Sequence, residues 1–127
     1  MIRGVGTDLT DVSRIARMLG SRHGERFLAR ILTPAERQLM DKWQGRAAEF
    51  AAGRFAAKEA VSKALGSGIG ATLSFLDMEI MPDSRGRPLC RLSERARAAN
   101  GVGEGDRIHV SISHAGSFAV AFAVWEQ

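Results

Sequence analysis

Apolar positions first stand out among polar ones and glycines over Met1 to Asp8. Ile2 and Val5 are apolar, two glycines permit close backbone approach and Asp8 stands at the end, which predicts a first strand. Thr10 or Asp11 then offers a helix N-cap, since either side chain can accept a hydrogen bond from the first-turn N–H groups. Val12, Ile15, Ala16 and Leu19 recur at helical spacing and should face a core. Arg14, Arg17 and Met18 fall outside that stripe, with Arg14 and Met18 on one shared face. The basic character continues through Arg22, Arg26 and Arg30, beside a second apolar stripe of Phe27, Leu28, Ile31 and Leu32. Thr33-Pro34-Ala35-Glu36 combines an N-cap, a proline at the first helical position and a capping-box glutamate, so a helix should run to about Trp43 before Gln44-Gly45 breaks it.

The next helix, starting near Arg46 or Ala47, has no polar face. Phe50, Phe55, Val61, Leu65 and many alanines wind nearly all the way round it, as in a buried helix. Glu59 and Lys63 stand four residues apart on it, about 40° apart around the axis. On such a helix both charges are costly to desolvate unless they face each other, a metal or a polar cleft. Gly66 ends the helix. The glycines of Gly66 to Gly70 follow a helix instead of opening one, so they read as a C-cap and flexible turn and not as a nucleotide loop.

From Ser74 the period changes to two. Phe75 to Met81 alternates as a strand, Pro82 to Gly86 reads as a turn, and Arg87 to Arg91 as a short strand. Ser93 and Glu94 open a short helix that Asn100-Gly101 ends, and Val102 to Asp106 is a loop. Arg107 to Ser113 alternates as a half-buried strand. Phe118 to Trp125 is almost wholly apolar, which places it mid-sheet or at a subunit contact, and His114 to Ser117 forms the hairpin tip between them. The predicted class is α+β: helices in the first half, packed on a mostly antiparallel sheet to which the first strand returns.

At 127 residues the chain is read as one domain spanning 1–127. A hydrophobic share of 45% and a charged share of 25% match a soluble globular protein. No run approaches the roughly 18 apolar residues of a membrane span, and the start lacks a signal-peptide pattern. Cys90 is the single cysteine and cannot form an internal disulfide, so a cytoplasmic, reducing location is expected. Eighteen Lys and Arg against 14 Asp and Glu favour an anionic partner. A nucleic-acid module is disfavoured: there is no tyrosine, and the phenylalanines sit in apolar contexts instead of a stacking pattern on strands.

Two carboxylates, Asp8 and Glu59, without partner cysteines or a histidine pair, suit a hard cation such as Mg2+ that retains several waters and leaves room for phosphate oxygens. That donor set belongs to phosphoryl-type transfer. The sequence holds no zinc spacing, Walker motif or Ser-His-Asp order. The competing readings are a small basic nucleic-acid binder and a non-catalytic scaffold in which Glu59 and Lys63 are only a buried pair.

Gly4-Val5-Gly6-Thr7-Asp8-Leu9-Thr10-Asp11, the run Gly53-Arg54-Phe55-Ala56-Ala57-Lys58-Glu59-Ala60-Val61-Ser62-Lys63-Ala64-Leu65-Gly66, and Val110-Ser111-Ile112-Ser113-His114 resemble, in order and spacing, the holo-[acyl-carrier-protein] synthases. These are the small bacterial 4′-phosphopantetheinyl transferases. The segment Ser21 to Glu25 and the loop near Val102 to Gly105 are less typical. The resemblance implies the 4′-phosphopantetheinyl transferase fold and a homotrimer with coenzyme A bound between subunits. The implied reaction moves the 4′-phosphopantetheine arm of coenzyme A to a serine of apo-acyl carrier protein, releasing adenosine 3′,5′-bisphosphate, in support of fatty acid biosynthesis. By the same resemblance Asp8 and Glu59 hold Mg2+ on the pyrophosphate, and Lys63 neutralises the leaving phosphate. Either Glu59 or a water on the metal takes the serine proton. Arg46, Arg54, Lys58, Gly66 and His114 are implied contacts for coenzyme A, Arg54 and His114 for its 3′-phosphate. Arg14, Met18, Arg22, Arg26 and Phe27 are the implied docking surface for an acidic carrier.

Overall fold

A computed structural model describes all residues, 1–127. Its strands are β1 (Ile2–Asp11), β2 (Met78–Pro82), β3 (Pro88–Leu92), β4 (Arg107–Ala115) and β5 (Phe118–Glu126). The helices are α1 (Val12–Leu19), α2 (Gly24–Ile31), α3 (Pro34–Met40), α4 (Ala47–Leu65) and α5 (Glu94–Ala99). The five strands form one sheet in the order β1-β5-β4-β3-β2, with every pairing antiparallel. The predicted α+β class holds, and the apolar β5 lies inside the sheet between β1 and β4.

The long helix α4 is buried along most of its length because small residues on both sides let it lie against the sheet. A Cβ on Gly6 would stand 1.9 Å from the Ala60 carbonyl oxygen, and one on Gly4 would stand 1.8 Å from that of Ala64. No other residue type tolerates that approach. Ala57, Ala60, Val61 and Ala64 pack with Ala121, Ala123 and Trp125 in one core. The N-terminal half of α4 joins a second core with Ile15, Leu28, Ile31 and Phe75, so α1 and α2 cover that end. The opposite face of the sheet stays open and apolar: Val5 (62%), Leu9 (61%), Phe118 (40%) and Phe122 (52%) remain exposed.

Local chemistry explains where the elements start. Asp11, not Thr10, caps α1, accepting from the Ser13 N–H. Thr33 and Glu36 form the predicted capping box. Gly66 ends α4 with φ of 79°, a left-handed conformation that favours glycine.

Several boundaries differ from the sequence reading. β1 runs on to Asp11, so Asp8 is an interior strand residue and not a strand end. Residues 75–77 form a 3-10 turn and β2 begins only at Met78, because Asp77 turns back to accept from the Ser74 backbone and hydroxyl. α3 stops at Met40, short of Trp43. Ala16 is exposed although its spacing put it in the core stripe. His114 belongs to β4, and only Gly116 and Ser117 are left to make the hairpin turn.

Candidate functional site

Strand alternation and the packing of Gly4 and Gly6 turn the even-numbered side chains of β1 toward α4, and Asp8 is the first of these that carries a charge. Its Oδ2 accepts from the hydroxyl of the buried Thr10 at 3.0 Å. Its Oδ1 accepts from Lys63 Nζ at 3.2 Å, and the same ammonium donates to the Thr7 carbonyl at 2.9 Å. Glu59 lies one turn earlier on α4. Partial burial, and next the charge of Asp8, push its carboxyl above the ordinary range, while Lys63 and Arg30 pull the other way. Two carboxylates that repel each other beside the Lys63 amine form a polar cleft where α4 meets β1.

No group of three or more His, Cys, Asp or Glu side chains stands together in the chain. Asp8 and Glu59 therefore offer oxygen donors alone, and too few to enclose an ion. That set fits Mg2+, which holds one or two carboxylates and completes its octahedron with water and phosphate oxygens.

Arg30 was read only as part of a basic run, and the structure brings it to this cleft. Its guanidinium lies 5.7 Å from the Phe75 ring centroid. With Ile69, Gly70, Ser74, Phe75 and Leu76 it lines a cavity of about 340 Å3. The sequence signal was its place beside Ile31 at the end of α2, but helical spacing cannot report which later segment that end meets. A larger cavity of about 630 Å3 lies at the junction of β3 and β4, and none of the candidate residues lines it.

A second group gathers at the other end of α4. Arg46 stacks its guanidinium 4.7 Å from the Trp43 ring centroid and stays largely exposed. His114 is exposed, and its Nε2–H donates to the Glu49 carbonyl at 3.0 Å; Gly53 makes room for the ring, since a Cβ there would stand 3.3 Å from Nε2. Arg54 is mostly buried. It lies over Phe50 at 4.5 Å and donates Nε to the Ile80 carbonyl at 2.9 Å, with burial lowering its pKa. Its terminal nitrogens have no acceptor within the chain and are not sealed from the surface. At about 1.5 Å per residue, Arg46 and Lys63 are roughly 25 Å apart along α4. One chain therefore does not bring Arg46 to Lys63, while Arg54, nearer the middle of the helix, is about 7.5 Å along it from Glu59. Gly66, at the C-terminal end of α4, stands with the carboxylate group.

Lys58 requires a correction. It is fully buried, and its ammonium donates to the Ile31 carbonyl (2.6 Å), Glu36 Oε1 (2.7 Å) and the Phe75 carbonyl (3.1 Å). An ammonium has three donors, so none is left for a nucleotide. Glu36 is satisfied in turn by the Thr33 and Ile80 N–H groups.

Of the expected docking residues, Arg14, Met18, Arg22 and Arg26 are exposed on and between α1 and α2. Phe27 turns inward, its ring 6.0 Å from that of Phe55, and joins the second core only in part.

Comparison with known proteins bears directly on this arrangement. Residues 4–123 match the family model of the 4′-phosphopantetheinyl transferase superfamily. A holo-[acyl-carrier-protein] synthase of Alkalilimnicola ehrlichii is 46% identical over 127 residues, covering 99% of this chain and 98% of that protein. The crystal structure of a Bacillus anthracis holo-(acyl-carrier-protein) synthase in complex with coenzyme A (3′,5′-ADP) superposes with a TM-score of 0.83 at 44% identity, covering 100% of this chain and 98% of the other. A Helicobacter pylori holo-[acyl-carrier-protein] synthase in complex with coenzyme A gives 0.84 at 36% identity, over 96% and 99% of the two chains. The two glycines that seat β1 on α4, and the Asp8, Glu59 and Lys63 cluster they bring together, thus belong to a chain that matches these proteins from end to end, and this chain is a member of the 4′-phosphopantetheinyl transferase superfamily, within its holo-[acyl-carrier-protein] synthases.

Proposed function

We propose that this protein transfers the 4′-phosphopantetheine arm of coenzyme A to a serine of apo-acyl carrier protein, releasing adenosine 3′,5′-bisphosphate. The observation that carries the reading is the Asp8–Lys63–Glu59 cluster beside the cavity at Arg30 and Phe75, in a chain similar throughout to synthases whose structures hold coenzyme A. Asp8 and Glu59 would hold Mg2+, which supplies neutralisation of the pyrophosphate when bound. The carrier serine Oγ forms a bond to the β-phosphorus as the bond to the bridging oxygen breaks. Glu59, raised in pKa, is this chain's candidate acceptor for the serine proton. Lys63, half exposed on a flexible stem, can meet the charge that develops on the leaving phosphate. Arg46, Arg54 and His114 would grip the nucleotide end. Arg14, Met18, Arg22 and Arg26 would receive an acidic carrier.

The roughly 25 Å along α4 between Arg46 and Lys63 supports a site built from two chains, one giving its Asp8 end and another its Arg46 end. The open apolar face at Val5, Leu9, Phe118 and Phe122 gives such chains something to bury. We take the assembly to be the homotrimer that the family resemblance implies. The reaction would serve fatty acid biosynthesis in the cytoplasm.

The test is to incubate the protein with apo-acyl carrier protein, coenzyme A and Mg2+ and to weigh the carrier by mass spectrometry. The carrier should gain the mass of one phosphopantetheine arm, and the gain should vanish with EDTA. A carrier of unchanged mass, across several acidic carriers, would sink the assignment.

A further inference from the structure

Resting on the metal-site reading above, one contact in the cleft points further. Asp8 has each carboxylate oxygen committed to a different partner: Oδ2 to the buried Thr10 hydroxyl at 3.0 Å and Oδ1 to the Lys63 ammonium at 3.2 Å. Thr10 is 4% exposed and cannot move far, so Oδ1 is the oxygen that can change partner. Lys63 is the movable one. Its side chain is 52% exposed on a four-carbon stem, against 18% for Asp8, and an ion pair with one well-solvated partner is weak. Its second bond, to the Thr7 carbonyl, holds the ammonium on β1, and Lys63 is not among the residues that line the cavity of Arg30 and Phe75.

We propose that Lys63 is the resident counter-ion of Asp8, which an incoming divalent cation displaces from Oδ1, so that filling the carboxylates and freeing the ammonium for phosphate are one exchange. The lysine balances the repulsion between Asp8 and Glu59 until the cation takes over that task. Displacement costs little, because two hydrogen bonds are exchanged for solvation of an ammonium already half in water. The freed amine needs only to swing about its stem, since its backbone stays in α4 under the Gly66 cap. Thr10 is then a positioning residue that presents Oδ1 alone to the cation.

Mn2+ titrated into the full chain without coenzyme A, with free Mn2+ read by electron paramagnetic resonance, tests this directly. Lys63→Met should bind Mn2+ about fivefold more tightly than the unaltered chain, the scale of one exposed ion pair. Arg30→Met, which removes a cation that bonds neither carboxylate, should change the affinity by less than about twofold. In an Asp8→Asn background the substitution at Lys63 should no longer tighten binding. Lys63→Gln serves as a second neutral variant, and circular dichroism confirms the fold of each. Unchanged or weaker binding in both neutral variants overturns the exchange while leaving the metal site standing, as does tightening that persists with Asp8→Asn. Failure of the unaltered chain and of every variant to bind Mn2+ overturns the metal site and the exchange together.

Discussion

Lys58 and Glu59 are neighbours in sequence and opposites in role. Adjacent residues on a helix point about 100° apart, so the two cannot serve one cleft, and the packing of α4 sends Lys58 inward. The resemblance had implied both for the coenzyme A site. What spacing could not supply was the partner, because Glu36 lies 22 positions away and doubles as a capping-box residue. With both side chains fully buried, removing one leaves the other charged and unpaired. Lys58→Met should therefore cost about 3–5 kcal/mol in urea unfolding. The double variant Lys58→Met with Glu36→Gln should lose less than the sum of the two singles. A Lys58→Met chain as stable as the original would show that the pair is not holding the end of α2, α3 and β2 together. Asp8, Glu59 and Lys63 were each legible as chemistry from residue type and helical spacing. Arg30 was not, because its place beside Phe75 depends on how α2 meets the turn before β2.

Among the elements, α4 and the strands that flank it were readable because their signals are local: a helix apolar nearly all round, a glycine after its last turn, an apolar strand expected mid-sheet or at a subunit contact. The 3-10 turn at Phe75–Asp77 was not, since its residues alternate like a strand and the deciding contacts are tertiary. Asp77 accepts from the Ser74 backbone and hydroxyl, from the Ser93 hydroxyl at the start of α5 and from Arg95. Burial alone would raise its carboxyl, but these donors outweigh it and bring the pKa from 3.8 down to about 2. A carboxyl depressed on folding contributes stability that is complete above the unfolded value near 3.8 and is lost as pH falls toward about 2. Acid unfolding of the native chain should show that loss across this window, and Asp77→Asn should flatten it while lowering stability at neutral pH. An identical acid profile for the two proteins would mean that the turn is held by something else.

At the scale of the whole molecule, sequence motifs showed the two residue groups without showing that one chain keeps Arg46 and Lys63 at opposite ends of α4. Alternation in β1 and β5 likewise puts Val5, Leu9, Phe118 and Phe122 on one side of the sheet, where nothing in the chain covers them. If neighbouring chains complete the site, two inactive variants should rescue each other. Glu59→Gln mixed and refolded with Arg46→Ala/His114→Ala should recover part of the transfer activity, because some interfaces then pair an intact carboxylate end with an intact basic end. A mixture no more active than its components would place both ends in the service of a single chain.

Whether Glu59 serves the transfer is read most directly on the carrier itself. Apo-acyl carrier protein, coenzyme A and Mg2+ are combined with the native chain or with Glu59→Gln at equal concentration, and the fraction of carrier bearing the arm is followed with time by mass spectrometry. Transfer by the native chain is expected, with a loss of about a thousandfold or more in Glu59→Gln and the fold unchanged by circular dichroism. Transfer at the native rate by Glu59→Gln would contradict that role.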